Sequence, residues 1–383
     1  MSTDRPAPSR FQRFLLPALA FKAVVIGGGY ATGRELAEFF LPIGPWGGLA
    51  AMVLAMVLWS FICALTFEYA RLFRLYDYRS FFRSLLGPAW IVFEIAYVLS
   101  VVLFLAVFGA AAGEILASAL GLPRLVGTIG LTAGIALFAA YGNNSVEALF
   151  KYVSFLLYGV YAIFLVLALT IFGDGITAGF ALSVPSKGWQ VAGVTYAAYN
   201  VLGAVMILPV VRHLTSRRDA VVSGLISGPV AMLPAILFFV AMVAFYPTII
   251  NEAVPSDFML KRLDQPIFHL LFQIMIFAAL LECGTGAIHA LNERIAIAWA
   301  EKTGVPMTHK ARGIVSLVIL IACIFVADRV GFVSLIGSGY RIIAYVVLAI
   351  YILPIATIGI VKLRTNSRAR PVAFGVQMTP KSK

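Results

Sequence analysis

Apolar runs long enough to cross a bilayer as helices, about 20 residues for a hydrocarbon core about 30 Å thick, follow one another along this chain with only short polar punctuation. The runs are continuous and do not alternate every second residue, so the pattern predicts helices, not the strands of a membrane barrel. Ten spans are read, at 14–41, 46–72, 89–120, 125–141, 146–172, 189–211, 220–246, 267–299, 313–326 and 330–361. Between the second and third lies a basic, aromatic segment, 77–86, expected to rest along the inner membrane surface. Ten spans form two halves of five, and the odd number makes the second half cross in the opposite sense, the inverted repeat common among secondary transporters. The expectation is an all-α integral membrane protein, a single membrane domain over 1–383. Its five-helix halves occupy 14–172 and 189–361, and a basic cytoplasmic tail occupies 362–383.

Composition sharpens this. Hydrophobic residues make up 61% and charged residues 12% of the 383, against roughly 45–50% and about 25% in soluble domains. A net charge of +12 would suit nucleic acid, but cytoplasmic loops that retain Lys and Arg give the same excess. With the N terminus inside, 21 of the 29 Lys and Arg residues fall on the cytoplasmic side, 5 outside and 3 within spans. The asymmetry places both termini in the cytoplasm, in a multi-pass protein of the cytoplasmic membrane, with no nucleic-acid partner. Cys63, Cys283 and Cys323 sit singly inside apolar runs and carry no disulfide or metal signal. The first apolar run is long, interrupted and without a small-residue cleavage site, so it reads as a span, not a signal peptide.

The first span carries the most informative motif. It reads IGGGYATGRELAEFF from Ile26 to Phe40, with Gly27, Gly28, Gly29 and Gly33 at bilayer mid-depth. Each interior Gly costs a helix about 1 kcal/mol relative to Ala, which predicts an unwound stretch there. Unwinding frees peptide groups that lipid cannot satisfy, so they must line a polar, protein-enclosed cavity. The half-helix starting near Gly33 would then point its positive end at an anionic group, and the half ending near Ile26 would offer carbonyls to a cation. Close helix packing is the competing use of such glycines. Span six has a corresponding stretch, TYAAYNVLGA from Thr195 to Ala204, with Asn200 and Gly203 beside Tyr196 and Tyr199.

GGGYATGRELAEFF followed by LPIGPWG resembles the signature of the YkvI-like membrane proteins, a branch of the amino acid, polyamine and organocation superfamily. The resemblance implies a LeuT-type fold of five plus five inverted helices with broken helices 1 and 6, and solute transport coupled to sodium or protons. It further implies a substrate site on the broken parts of spans one and six, completed by spans three and eight. That nominates Gly28, Gly29, Tyr30, Thr32 and Gly33, with Tyr199, Asn200, and Phe104 or Phe108.

Ionisable residues at membrane depth cost several kcal/mol unless they face a cavity or a partner. Glu282, about mid-depth in span eight, is the sharpest case, with Thr285 one turn on. The resemblance makes span eight a source of hydroxyl ligands for sodium. Where a pair of adjacent hydroxyl residues is expected this chain has only Thr285, which weakens the sodium reading. Desolvation favours the neutral form of a buried carboxyl, so proton coupling through Glu282 is the expectation. Lys22 and Lys151 are further candidates for a charge at the ion site, or inner-end lysines that snorkel. Arg34, Glu35, Glu38 and Arg341 are read as an outer gate in which Glu35 or Glu38 reaches Arg341, with Arg34 free for a substrate carboxylate or joined to the network. Glu68, Glu94, Glu114 and Glu147 are read as interfacial or packing residues. His289 and Glu293 are too few ligands for a metal site.

These residues point to a secondary transporter of a small polar solute, an amino acid or related compound, with no cofactor beyond a coupling Na+ or H+. A channel would need rings of repeated filter residues. An enzyme would need a nucleophile–base pair or a metal set, and none of the corresponding motifs occurs. A sensor that binds a solute without moving it stays open as an alternative.

Overall fold

The structure, a computed structural model, describes residues 8–141 and 143–368. Span one is assembled from three short helices, α1 (Leu16–Val25), α2 (Gly28–Ala31) and α3 (Arg34–Phe39). Span two is α4 (Gly44–Phe73), a straight 30-residue helix. A short helix α5 (Tyr78–Leu86) leads into span three, α6 (Trp90–Leu120), followed by α7 (Arg124–Tyr141) and α8 (Asn143–Ile171). Helix α9 (Gly173–Ala181) turns away from the end of α8 by 69° and closes the first half.

The second half opens with span six as α10 (Trp189–Asn200), α11 (Leu202–Met206) and α12 (Leu208–Val211). Span seven, α13 (Arg217–Val243), is joined through α14 (Pro255–Leu263) to span eight, α15 (Pro266–Thr303), and span nine, α16 (His309–Val330). Span ten runs through α17 (Phe332–Ser334), α18 (Tyr340–Val347) and α19 (Ile360–Arg368), linked by π-helical turns at Leu335–Gly339, Leu348–Ile352 and Ile355–Gly359. Residues 362–368, expected in the tail, therefore continue the last helix, and Lys362 holds the Ser84 carbonyl. The rest of the expected tail lies outside the described residues.

Among the described residues, six helices are long and apolar enough to cross a membrane unaided, seven if the bent pair counts as one span. Spans one and six fall outside that set because they are interrupted, and α7 because it is short. Helices α1, α4, α10 and α13 pack together as one bundle, while α6, α7, α15 and α16 form a second. In the first bundle, Gly224 and Gly228 bring α13 so close to α4 that a Cβ on Gly224 would lie 2.3 Å from Ala64 Cα. Without a hydrophobic driving force between helices in lipid, such small-residue seams are what permit close van der Waals packing.

Helix α5 forms because Asp77 caps it, accepting from Ser80 N at 2.9 Å. Its apolar face is buried against protein: Phe82 stacks on Phe93 of α6 and meets Tyr351 of span ten edge-on. The segment expected to rest on the membrane surface is thus docked on spans three and ten.

Candidate functional site

Span one is interrupted twice. At the first interruption Ile26 has φ −77° and ψ 78°, outside helical values. Gly27 N then donates to Val25 O at 2.8 Å instead of reaching four residues back, so the Ala23 carbonyl loses its helical donor. The second lies at Thr32–Gly33, where Gly33 adopts φ 77° and a Cβ would stand 2.4 Å from the Phe238 ring. Only glycine fits both the left-handed backbone and that contact. The stretch expected to be unwound throughout 27–33 keeps one helical turn, Gly28–Ala31, between the two breaks. Ser256 N of α14 takes the exposed Thr32 carbonyl at 3.0 Å, which is how a freed peptide group is satisfied inside the protein. Span six is gentler: Val201 stays near helical dihedrals, with the chain tightening there and again at Ile207. Trp59 of α4 donates to Ala197 O at 3.1 Å beside this interruption.

On the N-terminal side of the breaks lies a cavity of about 350 Å³. Its wall is built from Ala23, Val24 and Ile26 of α1, and from Tyr97, Ser100, Phe104 and Phe108 of α6. Leu157 and Tyr158 of α8, Leu202 and Met206 of α11, and Glu282, Cys283 and Gly286 of α15 complete it. Val24, Tyr158 and Met206 on this wall are exposed at 36%, 41% and 37%. Among the described residues, Glu282 is the one acidic residue on this wall. Lys22 stands just outside it, with Nζ 3.8 Å from the centre of the Tyr158 ring. Thr285 is fully buried and its hydroxyl donates to Leu281 O at 2.7 Å, within its own helix. The Lys151 side chain, like those of Glu147 and Glu293, lies outside the described residues.

On the other side of the breaks lies an ion-paired network. Arg34 donates to the carbonyls of Ile250 and Glu252, both at 2.8 Å, and to Glu38 Oε2 at 2.8 Å. Glu38 Oε1 accepts from Arg341 of span ten at 3.0 Å. Of the two acids expected to reach Arg341, Glu38 does so, while Glu35 turns inward and accepts from Tyr199 at 2.7 Å. Arg34 is committed to the network. Beneath this network, Phe39, Tyr196, Tyr199 and Tyr340 form a buried aromatic layer, with the Tyr199 and Tyr340 rings 4.7 Å apart. Phe104 meets Tyr340 edge-on at 5.5 Å and so connects this layer to the cavity.

The substrate-site residues expected from the sequence are therefore divided. Phe104 and Phe108 line the cavity, as does Ile26 at the first break. Tyr30, Thr32 and Tyr199 are buried beyond its roof, and the Asn200 amide donates to Tyr196 O at 3.2 Å. Glu68 pairs with Arg71 and Glu114 with Arg124. Glu94 accepts from Tyr78 and lies 3.8 Å from Arg294, whose guanidinium is held between the rings of Tyr78 and Tyr97. Tyr97 and Ser100 escaped the sequence reading, although with Phe104 and Phe108 they form a stripe at helical spacing. Asp257 also escaped it. It accepts from His269 and Gln273, both at 2.6 Å, from Lys261 at 2.8 Å and from Ser118, fastening α14 to spans three and eight. No local pattern marks it, because its partners come from three helices.

No protein-family model matches the chain. It is 22% identical over 342 residues to the uncharacterized membrane protein YkvI of Bacillus subtilis (strain 168), covering 87% of this chain and 92% of that protein. Among solved structures it is similar to MhsT in complex with L-phenylalanine, at 16% identity and a TM-score of 0.54, covering 95% of this chain and 100% of MhsT. It is also similar to the substrate-bound outward-open state of a Na+-coupled sialic acid symporter, at 11% identity and a TM-score of 0.61, covering 89% and 78% of the two chains. With its described residues helical throughout the spans and its first span broken at mid-length, this chain is a membrane protein of the LeuT-type fold, similar in sequence to YkvI.

Proposed function

We propose that this protein is a secondary active transporter of a small polar solute, an amino acid or related compound, working by alternating access with H+ or Na+ as coupling ion. The observation that carries this reading is the asymmetry about the broken first span. A cavity opens on one side of the break, and an ion-paired gate over an aromatic layer closes the other. Backbone freed at a break inside protein is tolerated only where it lines a cavity or finds a partner, and here it does both.

Solute would meet the cavity walls first, at Phe104, Phe108 and the Ala23–Ile26 backbone. It would then engage Gly28, Gly29, Tyr30, Thr32, Gly33, Tyr199 and Asn200 as the halves of span one rearrange. Glu282, with Thr285, Lys22 and Lys151 near it in the sequence reading, is assigned to ion coupling, and Arg34, Glu35, Glu38 and Arg341 to the outer gate. The Lys and Arg distribution puts the N-terminal side in the cytoplasm, so the conformation described is inward-facing with its outer side shut. The structural relatives agree with this reading: one is described with bound L-phenylalanine and another as a Na+-coupled symporter.

The test is uptake of a radiolabelled amino-acid panel into proteoliposomes under an imposed proton or sodium gradient. Concentrative uptake of one compound, abolished by collapsing the gradient, is the expected result. Saturable binding with no gradient-driven accumulation would replace the transporter with a solute sensor.

A further inference from the structure

Glu35 is the buried acid that the gate does not use. It is 4% exposed, and its carboxylate accepts a hydrogen bond from the Tyr199 hydroxyl at 2.7 Å. Among the described residues no cationic side chain forms an ion pair with it. The neighbouring Arg34 points the other way, into Ile250, Glu252 and Glu38.

What surrounds Glu35 is phenolic. Tyr30 of α2, Tyr196 and Tyr199 of α10 and Tyr340 of α18 all lie within electrostatic reach of its carboxyl. The hydroxyls of Tyr30 and Tyr196, and that of Tyr161 from α8 beside them, are buried without a hydrogen-bond partner. The remaining turns packed against α3, at 41–43, 248–251 and 335–339, contain no titratable side chain. An ionised carboxylate enclosed by neutral groups, with no countercharge, is far costlier than its neutral form. Water reaching the site would reverse that preference.

We propose that Glu35 is a proton-binding site tied to the outer gate: it is protonated while the gate is closed and gives its proton to external water when α3 and span ten part. The step is a plain ionisation, in which the O–H bond of the carboxylic acid breaks and the proton leaves to water while the carboxylate keeps the electron pair. The Tyr199 hydroxyl remains as donor to the carboxylate. Binding of the proton and closure of the gate then favour one another by linkage. The inference rests on the alternating-access reading, adds a coupling carboxyl distinct from Glu282, and separates Glu35 from the gate pair.

The experiment needs no solute. Nitroxide labels at Asn251→Cys and Arg329→Cys, with the three native cysteines replaced, report the outer opening by electron–electron distance measurement in lipid nanodiscs. Residues 251 and 329 are both exposed. In the otherwise unchanged protein the open population should grow as pH rises, by up to about tenfold per unit for a single linked proton. Glu35→Gln, a permanent mimic of the neutral acid, should hold the gate closed at every pH. Tyr199→Phe removes a donor to the ionised form and should move the midpoint to higher pH, which keeps the idea testable if Glu35→Gln fails to fold. A Glu35→Gln protein that still opens with pH like the parent, or an unmoved midpoint in Tyr199→Phe, overturns the proposal. A pH-driven gate in a protein that moves no solute would leave the proposal standing and remove the transport reading.

Discussion

Glu38 holds two arginines of unequal burial, and that inequality can be measured. The side chain of Arg34 is 5% exposed, that of Arg341 51%, and that of Glu38 between them 18%. Replacing Glu38 with Gln removes the charge facing Arg34 in a desolvated setting, where charge-assisted hydrogen bonds are worth about 1.5–3 kcal/mol each. Arg34 keeps its two carbonyl acceptors, so the closed gate should lose about 2–3 kcal/mol, roughly a 30- to 150-fold shift toward opening. Arg341→Ala removes only the half-exposed partner, a pair worth about 0–1 kcal/mol after screening. Its shift should stay below about fivefold. The nitroxide pair at residues 251 and 329 reads both variants on one scale. Equal opening by the two, or an unmoved gate in Glu38→Gln, would refute the claim that burial of Arg34 carries the closure. The double charge reversal of Glu38 and Arg341 should restore only the exposed pair, and so recover little of the closed state.

Other consequences concern the scaffold. Gly224→Ala drives a methyl against the Ala64 backbone, which should cost about 1–3 kcal/mol and lower the thermal midpoint in detergent. Gly130→Ala, with open space around it, should be neutral or gain up to about 1 kcal/mol. Asp219 caps α13 while binding Arg13 through both oxygens and Thr215 and Ser216 through Oδ2. Asp219→Asn should therefore cost about 2–4 kcal/mol and speed limited proteolysis before α1, with a smaller effect from Arg13→Ala. Burial pushes the Asp257 carboxyl up, but the bonds from Lys261, Ser118 and His269 more than offset it and hold it below the usual aspartate range. A depressed carboxyl stabilises above its unfolded value and loses that stability as pH falls through the folded one. Protection of the α14 amides against hydrogen exchange, corrected for the intrinsic rate at each pH, should thus stay constant from neutral pH to about pH 4 and fall only below it. Protection already lost at pH 6 would refute this account.

Much of the fold was legible in the chain because lipid imposes a local rule: each crossing must be apolar over its whole length and satisfy its own backbone. That rule gave the ten spans and placed the interruption at the glycines of span one, since only glycines cluster so densely at mid-depth. The two-halves reading and the TYAAYNVLGA stretch supplied the corresponding position in span six. The rule does not say which groups meet across helices. Whether Glu35 or Glu38 would reach Arg341 was undecidable from spacing, because the two acids lie three residues apart on one short helix and differ only in what stands opposite. The left-handed turn at Gly33 and the close approach of Gly337 of span ten to the Glu38 carboxylate settle it, turning Glu38 to the gate and Glu35 to the tyrosines. The cavity, the rings around Arg294 and the bond from Ser118 to Asp257 likewise join residues far apart along the chain. Hydropathy is a sum over neighbours in sequence, whereas a gate, a cavity and a buried acid are relations between helices, fixed only when the two bundles pack.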